Sequence, residues 1–146
     1  MPIHGNGGHA AVVRDLTFSH RRGWVIAVGD NAARRRIVRR SKRKFCTAIH
    51  DTAIISPSAR IGEGSVICEG AIIQARVRIG RHVIVNAGAV LTHDCAIGDY
   101  AHIAPGVHLC GGVHVGEGAL VGVGSCAVPG AVIKPWALVK AGSVVR

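Results

Sequence analysis

From Ile49 onward, an aliphatic residue returns at every sixth position to the end of the chain. Ile55, Ile61, Ile67, Ile73, Ile79, Val85, Leu91, Ile97, Ile103, Leu109, Val115, Val121, Ile133, Val139 and Val145 follow in phase, and only Ala127 is smaller. Two residues earlier in each hexad, from Ala53 to Ser143, stands Ala, Ser, Val or Cys. A period of six matches neither a 3.6-residue helix nor a continuous alternating strand. Within one hexad the small and the aliphatic residue are two apart, so both point to one side of a short strand. The residue between them points outward, and the remaining three must turn the chain.

A second period fixes the shape. Gly62, Gly80, Gly98 and Gly116 recur every eighteen residues, each directly after an Ile or Val. Eighteen residues are three hexads, hence three short faces per coil. The expected product is an all-β triangular prism, a parallel β-helix with its axis filled by aliphatic side chains. Its coils should lie about 4.8 Å apart. The span 47–146 holds a little over five of them, and the phase never slips.

The histidines divide on this frame. His102, His108 and His114 each precede an aliphatic position, so they face outward on three successive faces and diverge. No two histidines after residue 49 are eighteen or thirty-six apart, so none stack in a column as ligands of one metal ion. No metal is therefore expected, and His108 and His114 read as surface residues. His93 is different. It lies at a corner, two residues after Leu91, with Asp94 beside it. A carboxylate next to an imidazole can fix its tautomer and raise its basicity, as a general base requires.

One prism face is about 20 Å long, which puts His93 and His102 of one chain about 15–20 Å apart. They can meet only if the corner of one prism approaches the face of a neighbour. Gly111 follows His93 by one coil, close enough for its backbone to border a reacting group. Asn86 shares a face with His102, and the two could line a groove for a narrow ligand such as a pantetheine arm.

Residues 1–46 break the hexad pattern and carry nearly all the charge. They hold eleven Lys/Arg against Asp15 and Asp30, whereas residues 47–146 are close to neutral. "GNGGHA" leads into a short helix over "AVVRDL", "WVIAVGDN" reads as a buried strand, and "AARRRIVRRSKRK" reads as a basic helix with a solvated face. The aromatic content is 3%, too low for a base-stacking platform, so nucleic acid is not the expected partner. Met1 is followed by a glycine-rich turn, and no run reaches the about 18 apolar residues of a membrane span. Five cysteines without a C-x-x-C suit reduced thiols and a cytoplasmic setting.

The hexads resemble the left-handed β-helix of the hexapeptide-repeat acyltransferases. That hand comes from the resemblance, since parallel crossovers are generally right-handed. "IHDTAIISPSARIGEG", "VNAGAVLTHDCAIGDYAHIAPGVHLCGGVHVGEG" and "GNGGHA" narrow it to the sugar O- and N-acetyltransferases, a group that includes sialic acid O-acetyltransferases and the enzyme acetylating a UDP-linked 4-amino sugar in bacillosamine synthesis. The same fold also hosts zinc carbonic anhydrases, which the histidine spacing disfavours.

The resemblance implies a homotrimer using acetyl-coenzyme A, with active sites between chains. By it, His93 is the general base and Asp94 its supporting acid. His102 meets the thioester, while Asn86, Gly111, Val123 and Ala141 border the coenzyme, and Gly7, Gly8 and His9 line the nucleotide-sugar site of a small Rossmann-like segment. Fewer than a dozen residues join Asp15 to Trp24, where relatives place a further strand and helix. The segment 1–46 is thus expected to be a shortened acceptor domain. The last coil ends without the family's closing tail, which would leave its strand edges open. A prism that has lost its acceptor domain could instead be an idle scaffold, the main rival to an enzyme.

Overall fold

The computed structural model describes residues 3–15 and 23–146. From Ala48–Ile49 to Val144–Val145 the chain forms a two-residue strand in every hexad. These strands stack into three parallel sheets of six, six and five strands. Partners lie eighteen residues apart, as in Val90↔His108, Ala96↔His114 and His102↔Leu120. The architecture is a parallel β-helix, as the hexads required, and left-handed, as the resemblance implied.

The three faces differ in what they show outward. The first carries Ala48, Val66, Ile84, His102, Leu120 and Leu138. The second carries Ile54, Ile72, Val90, His108, Cys126 and Val144. The third carries Arg60, Arg78, Ala96, His114 and Val132.

The axis is filled as the period predicts. Ile67, Ile73, Leu91, Ile103 and Leu109 are at most 1% exposed, and full burial of such a side chain is worth about 1.5–3 kcal/mol. The buried serines of the small column, Ser65 and Ser125, are satisfied. Ser65 Oγ donates to the Gly80 carbonyl (2.9 Å) and accepts from the Val83 N–H (3.0 Å).

From residue 64 onward each corner has one residue in the left-handed region. Along the corner between the first and second faces that residue is Gly70, Gly88, Gly106, Gly124 and Gly142. At the other two corners side chains intrude at this position: Arg76 and Asp94 at one, His82, Tyr100 and Trp136 at the other. Such backbone costs a non-glycine residue about 1–2 kcal/mol, so these five positions are occupied in spite of their conformation.

The first face is not free. β1 (Ile3–His4) pairs in parallel with β2 (Val25–Ile26), and α1 (Gly8–Asp15) and α2 (Asn31–Arg40) flank them. Ala10, Val13, Val25 and Ala27 pack onto Ala48, Val66 and Cys68, forming a second core outside the prism. The strand expected over Trp24–Asn31 shrinks to Val25–Ile26, because β1 offers only Ile3 and His4 to pair with, while Trp24 makes an isolated bridge to Phe45. The stretch joining Asp15 to Trp24 falls largely on residues 16–22, outside the described residues.

The basic helix also differs from its expected form. Asp30 caps it by accepting from the Ala33 N–H (2.6 Å), and it stops at Arg40 instead of running to Lys44. Its face is not simply solvated: Arg34 is 1% exposed, and Arg35 pairs with Glu117 (3.4 Å). Docking against the prism turns one side of the helix inward, and Arg34 lies on the same side as Ile37 and Val38. No helix among the described residues is long and apolar enough to cross a membrane.

Candidate functional site

Two constellations stand on different parts of the chain. The first occupies the corner between the second and third faces. Asp94 sits there with φ 64°. One carboxylate oxygen lies 2.7 Å from Arg76 Nε, while the other lies 2.8 Å from Arg76 Nη2 and 2.8 Å from His93 Nδ1. The Arg76 guanidinium, and after it the His93 ring, hold the Asp94 carboxyl well below the usual carboxylate range. An ionised carboxylate only accepts, so the proton in this bond belongs to His93 Nδ1. The Nε2 lone pair is left free.

The ring lies against the next coil. A Cβ placed on Gly111 would come within 2.6 Å of His93 Cε1 and 2.8 Å of its Nε2. Gly111 therefore makes room for the imidazole, and only glycine fits beneath it. This corner has the parts of a general base: an oriented imidazole, an anionic partner and an open nitrogen. The His93 side chain is 58% exposed, so Nε2 is open to a ligand.

Sequence reasoning missed Arg76. Its signal was the period itself, for Arg76 precedes Asp94 by eighteen residues and must lie directly beside it in the corner column.

The second constellation lies on the first face. His102 is expected to project outward, and it does, but into the docked segment 1–46. Its ring centroid is 6.3 Å from that of His9. Its Nδ1 lies 3.4 Å from the Gly29 carbonyl and its Nε2 lies 3.3 Å from Asn86 Nδ2. Asn86 Oδ1 accepts from the Ala87 N–H (2.9 Å), which aims the amide nitrogen at His102. Nδ1–H thus donates to Gly29 and Nε2 accepts from Asn86. Burial above all, then the charge of Arg34, pushes His102 down to about 4, and the same two causes bring His9 to about 4. Both rings are neutral at neutral pH. His9 Nε2 is buried without a hydrogen-bond partner.

The remaining predicted residues fall around these two places. Gly7 and Gly8 are exposed at the start of α1, with open space about both Cα atoms. The Gly7 carbonyl accepts from the N–H groups of Ala10 (2.9 Å) and Ala11 (3.2 Å). Val123, 55% exposed, and Ala141 stand one coil apart on the corner between the first and second faces. The structure brings His93 together with Asp94 and Gly111, and His102 together with Asn86 and His9. His93 and His102 stay on separate elements. No group of three or more His, Cys, Asp or Glu side chains among the described residues could hold a metal ion.

Comparison with known proteins bears on the family and the fold. A family model described as "Bacterial transferase hexapeptide (six repeats)" matches residues 76–111. UDP-N-acetylbacillosamine N-acetyltransferase of Bacillus subtilis (strain 168) is 40% identical over a 108-residue alignment that takes in 46% of this chain. That alignment is 50% of the relative, so the chain spans about half the length of the curated protein it matches.

Two solved structures superpose along nearly the whole chain. The acetyltransferase domain of PglB from Neisseria gonorrhoeae FA1090 has a TM-score of 0.92 at 29% identity, covering 99% of this chain and 90% of that one. The same domain is also known in complex with acetyl coenzyme A. PerB from Caulobacter crescentus, in complex with CoA and GDP-perosamine, has a TM-score of 0.90 at 33% identity, covering 99% and 87%.

Proposed function

The chain belongs to the hexapeptide-repeat sugar acetyltransferases, and from that premise we propose that it transfers the acetyl group of acetyl-coenzyme A to an amine or hydroxyl of a nucleotide-linked sugar. One observation carries the reading: His93 is held by Asp94 through Nδ1–H, with Nε2 open above Gly111. In the proposed step the acceptor nitrogen or oxygen attacks the thioester carbonyl carbon while His93 Nε2 takes its proton. The tetrahedral adduct collapses, the C–S bond breaks, and the thiolate leaves with a proton returned from the imidazolium. No covalent enzyme intermediate is needed, because donor and acceptor are held in attack geometry.

The acceptor is proposed to dock at Gly7, Gly8 and His9, beside His102. The coenzyme is proposed to run past Asn86, His102, Gly111, Val123 and Ala141. Because the His93 corner and the His102 pocket lie apart on one chain, the complete site would be assembled between chains. The outward residues of the second face support such assembly: Ile54 (64% exposed), Ile72 and Val90 form an apolar stripe on successive coils that ends beside the His93 corner. A homotrimer in the cytoplasm completes the reading.

The test is turnover with acetyl-coenzyme A and a panel of free and nucleotide-linked amino sugars, for the parent and for His93→Ala. A loss of about 100-fold or more is expected. Parent protein that neither binds acetyl-coenzyme A nor acetylates any acceptor would favour an idle scaffold.

A further inference from the structure

Arg34 is a buried cation whose hydrogen bonds to the described residues all go to neutral oxygens. Its Nε donates to the His82 carbonyl (2.8 Å). Its Nη1 donates to the carbonyls of Val28 (2.8 Å) and Gly29 (3.2 Å). Its Nη2 donates to Asn31 Oδ1 (2.8 Å) and to the carbonyls of Tyr100 (2.6 Å) and Ala101 (3.4 Å). His82 and Tyr100 are one coil apart, and Asn31 Nδ2 reaches the Gly118 carbonyl of the next coil (3.0 Å). The start of α2 is thus stitched to three successive coils.

A staple alone does not account for a charge here. Burying an ion whose hydrogen bonds go to neutral oxygens is costly even with the charge of Asp30, the helix cap, acting in its favour, and a cation in the first turn of a helix also opposes the helix dipole. The geometry shows where the charge acts. The Gly29 carbonyl accepts from Arg34 Nη1 and also from His102 Nδ1–H. One oxygen therefore joins the guanidinium to the histidine beside the proposed acyl-transfer groove.

We infer that Arg34 is a positioning residue for acyl transfer: by holding the Gly29 carbonyl it fixes the His102 ring with Nδ1–H inward and Nε2 turned to Asn86, and so aims the Asn86 amide at the ligand groove. The inference rests on the proposed acetyltransfer. Asn86 Oδ1 is taken by the Ala87 N–H and one amide hydrogen by His102, which leaves its second N–H to meet a ligand carbonyl. The groups facing His102 are Arg34 from α2, His9 from α1 and the neutral Asn86 from the adjacent coil. Arg34 and His9 both oppose a proton on His102, in line with its low affinity for one. A protonated His102 would turn Nε2 into a donor and release Asn86. Lysine cannot replace the planar fork, because one ammonium cannot reach Gly29 and both coils.

The experiment follows histidine ring nitrogens by NMR against pH in the full-length protein, for the parent, Arg34→Met and Arg34→Lys, alongside KM and kcat. In the parent His102 should stay a single Nδ1–H tautomer down to a midpoint near 4. Arg34→Met should raise that midpoint by about one unit or more, the shift expected when a neighbouring charge is removed. It should also raise the acetyl-coenzyme A KM at pH 5 more than at pH 8. Arg34→Lys keeps the charge without the fork, so the His102 tautomers should mix in the folded variant. If Arg34→Met does not fold, the tautomer readout of Arg34→Lys decides. Unchanged His102 tautomer and titration in a folded variant would overturn the inference and leave Arg34 a structural staple. The ring-nitrogen signals are read without turnover, so failure of the acetyltransfer reading itself would be seen separately, as inactivity of the parent.

Discussion

Gly111→Ala separates the position of the His93 ring from its chemistry. A Cβ on Gly111 would sit 2.6 Å from Cε1 and 2.8 Å from Nε2 of His93, whereas non-bonded carbon contacts settle near 3.5 Å. The ring must therefore retreat by about 0.9 Å. It is more than half exposed, so it can swing outward at little cost to the fold. Gly111 is not in the left-handed region, so alanine fits its backbone, and the stability change should stay within about 0.5 kcal/mol. Misplacement of a reacting group by about 1 Å costs about 100-fold in rate.

The assay pairs kcat for acetyl transfer with thermal unfolding. Gly130→Ala is the opposite control: its φ is 73°, nothing lies within 4 Å of the added carbon, and it stands one coil further along the chain. That variant should lose about 1 kcal/mol of stability with its kcat intact. If Gly111→Ala kept a kcat within about threefold of the parent, the role assigned to the His93 nitrogen would be refuted.

Asp94→Asn tests the tautomer. The amide keeps the left-handed backbone that asparagine tolerates, but it can donate to His93 Nδ1 and drive the proton to Nε2, so kcat should fall by about 100-fold or more with no loss of folding; full activity would exclude Nε2 as the base. Acid should destabilise the protein well before its carboxylates titrate. His9, His82 and His102 are held near 4 by burial, against an ordinary value of 6.5. Unfolded chain takes up these protons near pH 6.5 and folded chain only near 4, so stability is complete above pH 6.5 and lost as pH falls toward 4. Each such proton contributes up to about 1.4 kcal/mol per pH unit, and unfolding midpoints that stay flat from pH 7 to 5 would contradict this.

The repeat could be read because it is redundant. Each hexad states the same register, so Val90↔His108 and His102↔Leu120 follow from counting by eighteen. The same count places Arg76 beside Asp94, a contact the sequence contained without any motif to advertise it. Glycine at position 88 or 106 announces a left-handed corner, but nothing announces that Asp94 and Arg76 accept that backbone too. Their strain is visible only in coordinates, at the corner where the imidazole is held.

What the period does not encode is what covers it. Outward residues of the first face, Ala48, Val66 and Ile84, are apolar and buried, while Arg60 and Arg78 mark the third face as solvated. That contrast sets the first face apart from the third, but Ile54, Ile72 and Val90 make the second face apolar too, so the sequence did not say which of the two the segment 1–46 would cover. Nor did it say which arginine of the basic run would turn inward. Composition treats Arg34, Arg35 and Arg36 alike, whereas helical geometry does not: Ile37 and Val38, three and four residues on, share the inward side with Arg34 alone. A cation placed there meets backbone carbonyls instead of water. The docking that hides it also brings His9 and Gly29 onto His102, so one packing event both closes the outer core and gives the face histidine its neutral, oriented ring. The His93 corner, left uncovered by that event, is where an open base can stand.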